Sequence, residues 1–423
     1  MTRQPELDMP LGPYRVLDLT QGGCLIGPRI LGDLGADVIK IERPGGDPSR
    51  SLGPFYRDTI DPQKSLFWFA YCANKRGITL DIETADGKEL FMALAKAADF
   101  VVESFPVGYL ADLGLGYDAL SRTNPRIVMT SITPFGQEGP KSRYKGCDLT
   151  EWATAGCLYT MGAPDHAPTW ITFGAQSSLH AGAEAAAGSL IAHWHREQTG
   201  EGQHVDVSAQ KSLAWLNQAT IQMWEVNRYI YHRAGAMWVT GHGVARRQCY
   251  ACKDGFVAFT VFGGGLVNLV MATRAMVAWM AEEGVAPDWL KTFNWVDGFD
   301  TSRLTQETVD RVEAPFAHFF MDRTKAELWE QSLKRGIVLA PVNTLGDVAA
   351  DPHLQARRFW EQVPHPELGE ELTYCGAFYK FSETPLRIRR RAPLIGEHNQ
   401  EIYERELGIS REKLVLLKQA GAI

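Results

Sequence analysis

At 423 residues the chain is long enough for two domains, each with its own hydrophobic core. It is 45% hydrophobic and 22% charged, an ordinary globular balance, and 43 basic against 50 acidic residues leave a net charge of −7. That balance argues against a general nucleic-acid binder, which needs an excess of Lys and Arg for phosphate contacts, yet it allows a local basic patch for one small anion. No stretch approaches the ~18–20 uninterrupted apolar residues of a membrane helix. Met1 to Leu11 lacks an apolar signal core, so the chain is expected in the cytoplasm with no membrane partner. Seven cysteines, an odd number scattered from Cys24 to Cys375, fit a reducing compartment.

The opening alternates strands and helices. Arg15–Leu19 reads as a short buried strand, followed by a Gly-rich turn (Gly22, Gly23, Gly27) and a short helix from Pro28 to Leu34 stopped by Gly35. Asp37–Ile41 is the next strand, Gly77–Asp81 is extended, and Thr84 caps a helix running to Ala98. Strand Phe100–Glu103, helix Tyr117–Thr123 and strand Ile127–Ser131 continue the pattern. A small-residue helix spans Ser177–Gln198 and is ended by Gly200 and Gly202, with strand His204–Val207 and a helix from Ser208 behind it. This βα alternation predicts an α/β domain with a mostly parallel sheet, helices on both faces and ligands at the C-terminal ends of its strands. Residues 1–226 form that domain, 227–335 form a smaller α+β domain, and 336–423 make a loop-rich segment that returns to the large domain.

Two motifs invite chemistry and are set aside. Cys249-Tyr-Ala-Cys252 has no second pair for zinc, and the surrounding residues read as two short strands joined by an Asp254-Gly255 turn. Gly22-Gly23-Cys-Leu-Ile-Gly27 departs from the Gly-x-Gly-x-x-Gly spacing of a dinucleotide site, and Arg43 directly follows Glu42 where that site wants a lone acid. Several cations sit where the strands end: Arg43 with Arg50, Lys75 with Arg76, and Lys145. Guanidinium and ammonium groups in such loops are candidates for phosphate or carboxylate recognition, against the common alternative of solvated surface charge.

Longer motifs carry a resemblance. Val16-Leu-Asp-Leu-Thr20, the run Leu34-Gly-Ala-Asp-Val-Ile-Lys-Ile-Glu-Arg-Pro-Gly-Gly-Asp47, and Ala73-Asn-Lys-Arg-Gly-Ile-Thr-Leu-Asp81 are the first of them. Val102-Glu-Ser-Phe-Pro-Val-Gly108, Pro134-Phe-Gly-Gln-Glu-Gly-Pro140, Gly200-Glu-Gly-Gln-His-Val-Asp-Val-Ser208 and Ala392-Pro-Leu-Ile-Gly-Glu-His398 follow in order. Together they resemble the family III coenzyme A-transferases (CaiB/BaiF type, formyl-CoA transferase-like) over nearly the whole chain. The resemblance implies a large Rossmann-like domain built from both chain ends, a smaller α+β domain, an interlocked dimer, acyl-CoA and a carboxylic acid as substrates, and no metal. It implies that Arg43, Phe105 and Lys145 contact coenzyme A, with Asn74, Lys75 and Arg76 nearby and Ser104 standing where relatives often place Asn. It also invites comparison of Gly263–Gly265 with the family's active-site glycine loop. That run suits an ordinary turn, and Gly241-His242-Gly243 lies nearer to where a mobile loop is expected.

The same resemblance exposes a departure. In the family one aspartate attacks the donor thioester, and that covalent route needs an anionic nucleophile whose acyl product stays reactive. The family aspartate maps onto Gln176, and its neighbours Ala175, Ser177 and Ser178 are not carboxylates either. An amide cannot take that role. The α-methylacyl-CoA racemases of the same fold use His and Asp, but here Gly146-Cys147-Asp148 replaces their Gly-His-Asp and Gln176 again replaces the Asp. Asp148 is the weak substitute carboxylate; Asp165, Cys147, Cys157 and Glu184 have blander readings. Three functions stay open: the subunit without a nucleophile in a hetero-oligomeric transferase of the succinyl-CoA:aryl-succinate type, whose paralogous partner brings the Asp; an active transferase using another carboxylate; and a CoA-binding or scaffolding homodimer.

Overall fold

A computed structural model describes residues 9–170, 175–240, 243–265 and 267–423, apart from the side chain at 267. The chain divides into two compact units: residues 1–157, 171–229 and 352–423, and residues 158–170 and 230–351.

The larger unit is built on six strands: β1 (Arg15–Leu19), β2 (Asp37–Glu42), β3 (Lys75–Thr79), β4 (Phe100–Glu103), β5 (Val128–Thr133) and β6 (His204–Ser208). They form one sheet in the order β3-β2-β1-β4-β5-β6, and every neighbouring pair is parallel. The order reverses between β1 and β4, and a doubly wound sheet opens its ligand crevice at that switch point. Its helices are α1 (Ile26–Asp33), α2 (Leu66–Cys72), α3 (Ala85–Lys96), α4 (Tyr109–Asp112), α5 (Tyr117–Thr123), α6 (Asp148–Thr154), α7 (Gln176–Thr199), α8 (Ala209–Leu216) and α9 (Gln218–Asn227).

Local signals set the helix ends. The Thr84 side chain accepts from Gly87 N to cap α3, and Ser208 caps α8 through Lys211 N. Gly200 ends α7 at φ 82°, a left-handed conformation that glycine adopts without strain. Val16, Val102, Val128, Ala181 and Ala185 pack on one side of the sheet. Leu17, Val101, Met129 and Phe91 pack on the other. β3 starts two residues before the expected Gly77, because Lys75 and Arg76 find buried anionic partners and can occupy strand positions.

The last residues close this unit. Asn74 N donates to Arg390 O, Trp68 Nε1 to Pro393 O, and Asp81 N to Ala422 O. The hairpin Trp360–His365/Glu370–Cys375 belongs here too.

The smaller unit holds a hairpin of β7 (Met237–Val239) and β8 (Ala245–Arg247). Beside it β9 (Cys249–Cys252), β10 (Gly255–Phe259) and β11 (Leu339–Pro341) form an antiparallel sheet in the order β11-β10-β9. Helices α10 (Val267–Glu282), α11 (Asp288–Lys291), α12 (Gln306–Met321) and α13 (Lys325–Arg335) complete a core around Phe259, Phe316 and Phe320. The unit runs past the expected end at 335 to Asp351 because β11 pairs with β10, and it takes in residues 158–170, which carry no boundary signal in the sequence.

The Cys249 and Cys252 thiols are not joined in a disulfide, and the turn between β9 and β10 is Lys253-Asp254, one residue earlier than expected, because Gly255 already pairs with Cys252 as the first residue of β10. At Gly263 a Cβ would sit 2.4 Å from Phe299, so this glycine serves close packing within the small unit. Gly241 and His242 of the alternative loop lie outside the described residues.

Candidate active site

The crevice at the switch point is walled by the loop after β1 and the loop after β4, and the two are tied together. Gln21 N donates to Ser104 Oγ at 2.9 Å, and Gly22 N donates to Ser49 Oγ at 2.8 Å. Helix α7 closes against this loop through glycine. A Cβ on Gly23 would fall 2.9 Å from Leu179 N and 3.0 Å from Ala175 O, and one on Gly27 would meet Gly182 O at 2.8 Å. Only glycine permits that approach. Gln176, the first residue of α7, is thereby held beside the loop after β1. Ala175 before it takes φ 50°, an unfavourable left-handed conformation for alanine, where the chain turns into the helix.

The carboxylates around Gln176 come from α6. Asp148 Oδ1 accepts Ser177 N at 2.6 Å, so an acid of the neighbouring helix satisfies one of the free amides at the positive end of α7. Glu151, one turn further along α6, is buried; desolvation raises its pKa, the Ser177 hydroxyl opposes that rise and Asp148 adds to it. Cys24, in the loop after β1, is also buried, and burial followed by repulsion from Glu151 pushes its thiol up to about 12. Gln176 itself is a neutral amide among these groups. The arrangement can hold charge and dipole at the α7 terminus, but Gln176 brings no carboxylate to attack a thioester.

The residues expected around coenzyme A divide into two sets. Arg43, half-exposed after β2, bonds both Glu83 and Tyr109, with Tyr109 OH at 2.9 Å, and Tyr109 OH donates to Glu83 at 2.7 Å. The Tyr109 ring lies 4.6 Å from that of Phe105, so Arg43 and Phe105 share one surface. Ser104 sits beside them, its hydroxyl engaged by Gln21 N. Lys145 is exposed on the loop that leads into α6.

Asn74, Lys75 and Arg76 face inward instead. Lys75 Nζ pairs with Asp18 at 2.8 Å and donates to Leu25 O at 2.8 Å, both side chains fully buried. Arg76 is bound by Asp37, Glu401 and Glu406. Asn74 Nδ2 donates to Asp33 at 2.6 Å while its Oδ1 accepts Arg389 N at 2.6 Å. These side chains are committed to the frame beneath the crevice. Arg50 behaves likewise, gripping both oxygens of Glu42 at 2.6 and 2.8 Å over the Trp68 ring.

Four contributors escaped the sequence reading. Glu83 and Tyr109 carry no motif signal beyond their neighbourhood, although Tyr109 directly follows Gly108 of a quoted signature. Glu103 was visible inside that signature, and Glu151 sits one helical turn beyond Asp148. The burial of Glu103 and Glu151 could not be read from the residues alone. Of the blander substitutes, Asp165 and Glu184 are exposed and Cys157 is buried.

Comparison with known proteins identifies the family. The model of CoA-transferase family III matches residues 11–399. The chain is 37% identical over 416 residues to the succinyl-CoA:(R)-benzylsuccinate CoA-transferase subunit BbsE of Thauera aromatica, covering 97% of each. It is 30% identical to the succinyl-CoA–L-malate CoA-transferase beta subunit of Chloroflexus aurantiacus, covering 98% of each. The crystal structure of a CaiB/BaiF family protein from Brucella suis superposes with a TM-score of 0.79 at 26% identity, covering 94% of this chain and 99% of that one. With its switch-point crevice, its tied loops and a matching family model along most of its length, the chain belongs to CoA-transferase family III.

Proposed function

We propose that this chain is the subunit without a nucleophile in a hetero-oligomeric CoA-transferase, and that a paralogous partner supplies the attacking aspartate. The observation that carries the reading is Gln176 at the first position of α7, where the family resemblance puts the aspartate. The enzyme would move CoA from a donor such as succinyl-CoA to a carboxylic acid, with an aryl-substituted succinate as the proposed acceptor. The two relatives described above are themselves named as subunits, one of them for benzylsuccinate, and this supports the reading. So does the outer face of α7, α8 and α9, which exposes Ile191, Trp194, Trp215, Leu216, Trp224 and Val226. Large apolar side chains exposed on three successive helices suit an association surface. The partner is taken to be the other half of an interlocked pair. Arg43, Ser104, Phe105 and Lys145 are the proposed coenzyme contacts, with Asn74, Lys75 and Arg76 holding the frame.

Purification of the tagged chain from its native source tests the assignment. A stoichiometric relative with an aspartate at the matching place is expected, and trapping with acyl-CoA and hydroxylamine is expected to label that partner. A homodimer of this chain with full transfer activity would sink the proposal. A second reading, in which another carboxylate of this chain attacks, is favoured by Asp148 against the α7 terminus. An adduct on this chain that vanishes in Asp148→Asn would establish it.

A further inference from the structure

Acids at the ends of the parallel strands each catch a backbone amide of a crevice loop. Asp18 accepts Thr20 N at 2.9 Å, Glu42 accepts Asp47 N at 2.8 Å, Glu103 accepts Phe105 N at 2.6 Å, and Asp206 accepts Gln137 N at 3.0 Å with both oxygens. Charge-assisted bonds of this kind are stronger than neutral ones and fix the loop that follows.

Glu103 differs from the other buried members of the set. Asp18 is neutralised by Lys75, and Glu42 by Arg50. Glu103 is 5% exposed, and among the described residues no cation lies within ion-pair distance of it. Its polar neighbours are the Phe105 amide and Ser131, its in-register partner on β5. Ser131 Oγ in turn meets His204 Nε2 on β6 at 2.9 Å, and His204 reaches the surface beneath the Tyr117 ring.

We propose that Glu103 is a positioning residue for the coenzyme loop: its ionised carboxylate holds the Ser104–Phe105 turn, and a proton taken up at Glu103, on the row that leads through its in-register neighbour Ser131 to His204, loosens that turn. The proposal rests on the reading of Ser104 and Phe105 as coenzyme contacts, which it deepens.

The surroundings set where the proton binds. Burial raises the carboxyl to about 7, the Ser131 hydroxyl and the Phe105 amide oppose this, and Asp206 adds repulsion. Of the other titratable neighbours, burial pushes the Cys24 thiol up to about 12 and pushes His204 down, so both are neutral near pH 7. On β1 the in-register neighbour is Leu19, which is apolar, and strand alternation turns Asp18 to the opposite face of the sheet. Glu103 is therefore ionised above about pH 7 and protonated below it, and the turn is held on the alkaline side.

The test is hydrogen exchange of residues 104–108 in the full chain between pH 6 and 8.5, corrected for the intrinsic rate, with CoA calorimetry on the same samples. Protection and CoA affinity are each expected to fall about fivefold on acidification in the wild type. Glu103→Gln, which keeps shape and loses the charge, should show neither dependence, and Ser131→Ala should move the midpoint to higher pH. The same pH dependence of exchange in Glu103→Gln as in the wild type overturns the proposal. Absence of CoA binding at every pH would remove the coenzyme-contact reading alone, and the exchange data would still decide the role of Glu103.

Discussion

Replacing Lys75 with Met separates a framework residue from a ligand contact. The Lys75–Asp18 pair is fully buried at 2.8 Å, and Asp18 also receives Thr20 N at 2.9 Å and Thr20 Oγ1 at 2.7 Å. Removing the ammonium leaves a desolvated carboxylate without its counter-charge and a Leu25 carbonyl without its donor. Breaking one side of a buried pair costs about 3–5 kcal/mol, a large share of a total stability of about 5–15 kcal/mol. Urea titration of Lys75→Met, followed by tryptophan fluorescence, should therefore show the larger unit unfolding at much lower denaturant. Adding Asp18→Asn should recover about 2 kcal/mol, since the orphaned charge is then gone. Arg43→Ala is the contrasting case: its ion pair with Glu83 is solvent-exposed, so stability should change by less than about 0.5 kcal/mol while CoA binding weakens. A Lys75→Met protein of wild-type stability that has lost CoA binding would refute this assignment and place Lys75 at the ligand.

Iodoacetamide at pH 8 should modify exposed Cys147 in the native chain and spare Cys24 and Cys72, which are buried with thiols pushed up to about 12, until the protein unfolds; labelling of Cys24 at the rate of Cys147, read by mass spectrometry, would count against the buried placement. Trp194→Glu combined with Trp224→Glu should leave the thermal transition of the isolated chain nearly unchanged, since both side chains are exposed, but abolish association in light scattering; an unchanged oligomer would show that the α7–α9 face is not the contact.

The alternation of strands and helices was legible because each short apolar run is bounded by its own stop. Thr84 and Gly200 each behave as their residue types dictate. The expectation at Gln176 needed only a residue type at a matched position, and the structure puts that residue at the start of α7. What sequence could not supply was the direction of a charged side chain. Arg43, Lys75 and Arg76 look alike as cations near Gly and Pro, yet Arg43 faces solvent while the other two are buried against Asp18, Asp37 and Glu406. Their partners lie 57 positions away for Lys75 and as many as 330 for Arg76, beyond any local pattern. Glu103 was hidden for the same reason: a carboxyl at a strand end is unremarkable until its neighbours prove to be a hydroxyl and an amide.

The close contact of α7 with the first loop and α1 bears on what a substitution at the first residue of that helix can change. The register of that helix is set by Gly23 against Ala175 and Leu179 and by Gly27 against Gly182. None of these contacts involves the side chain at 176. The glycine contacts that seat α7 are thus the same whether position 176 carries an acid or an amide. By the same token, a carboxylate reintroduced by Gln176→Asp would inherit the aim of the helix, although it would arrive beside Asp148, which already occupies the neighbouring amide.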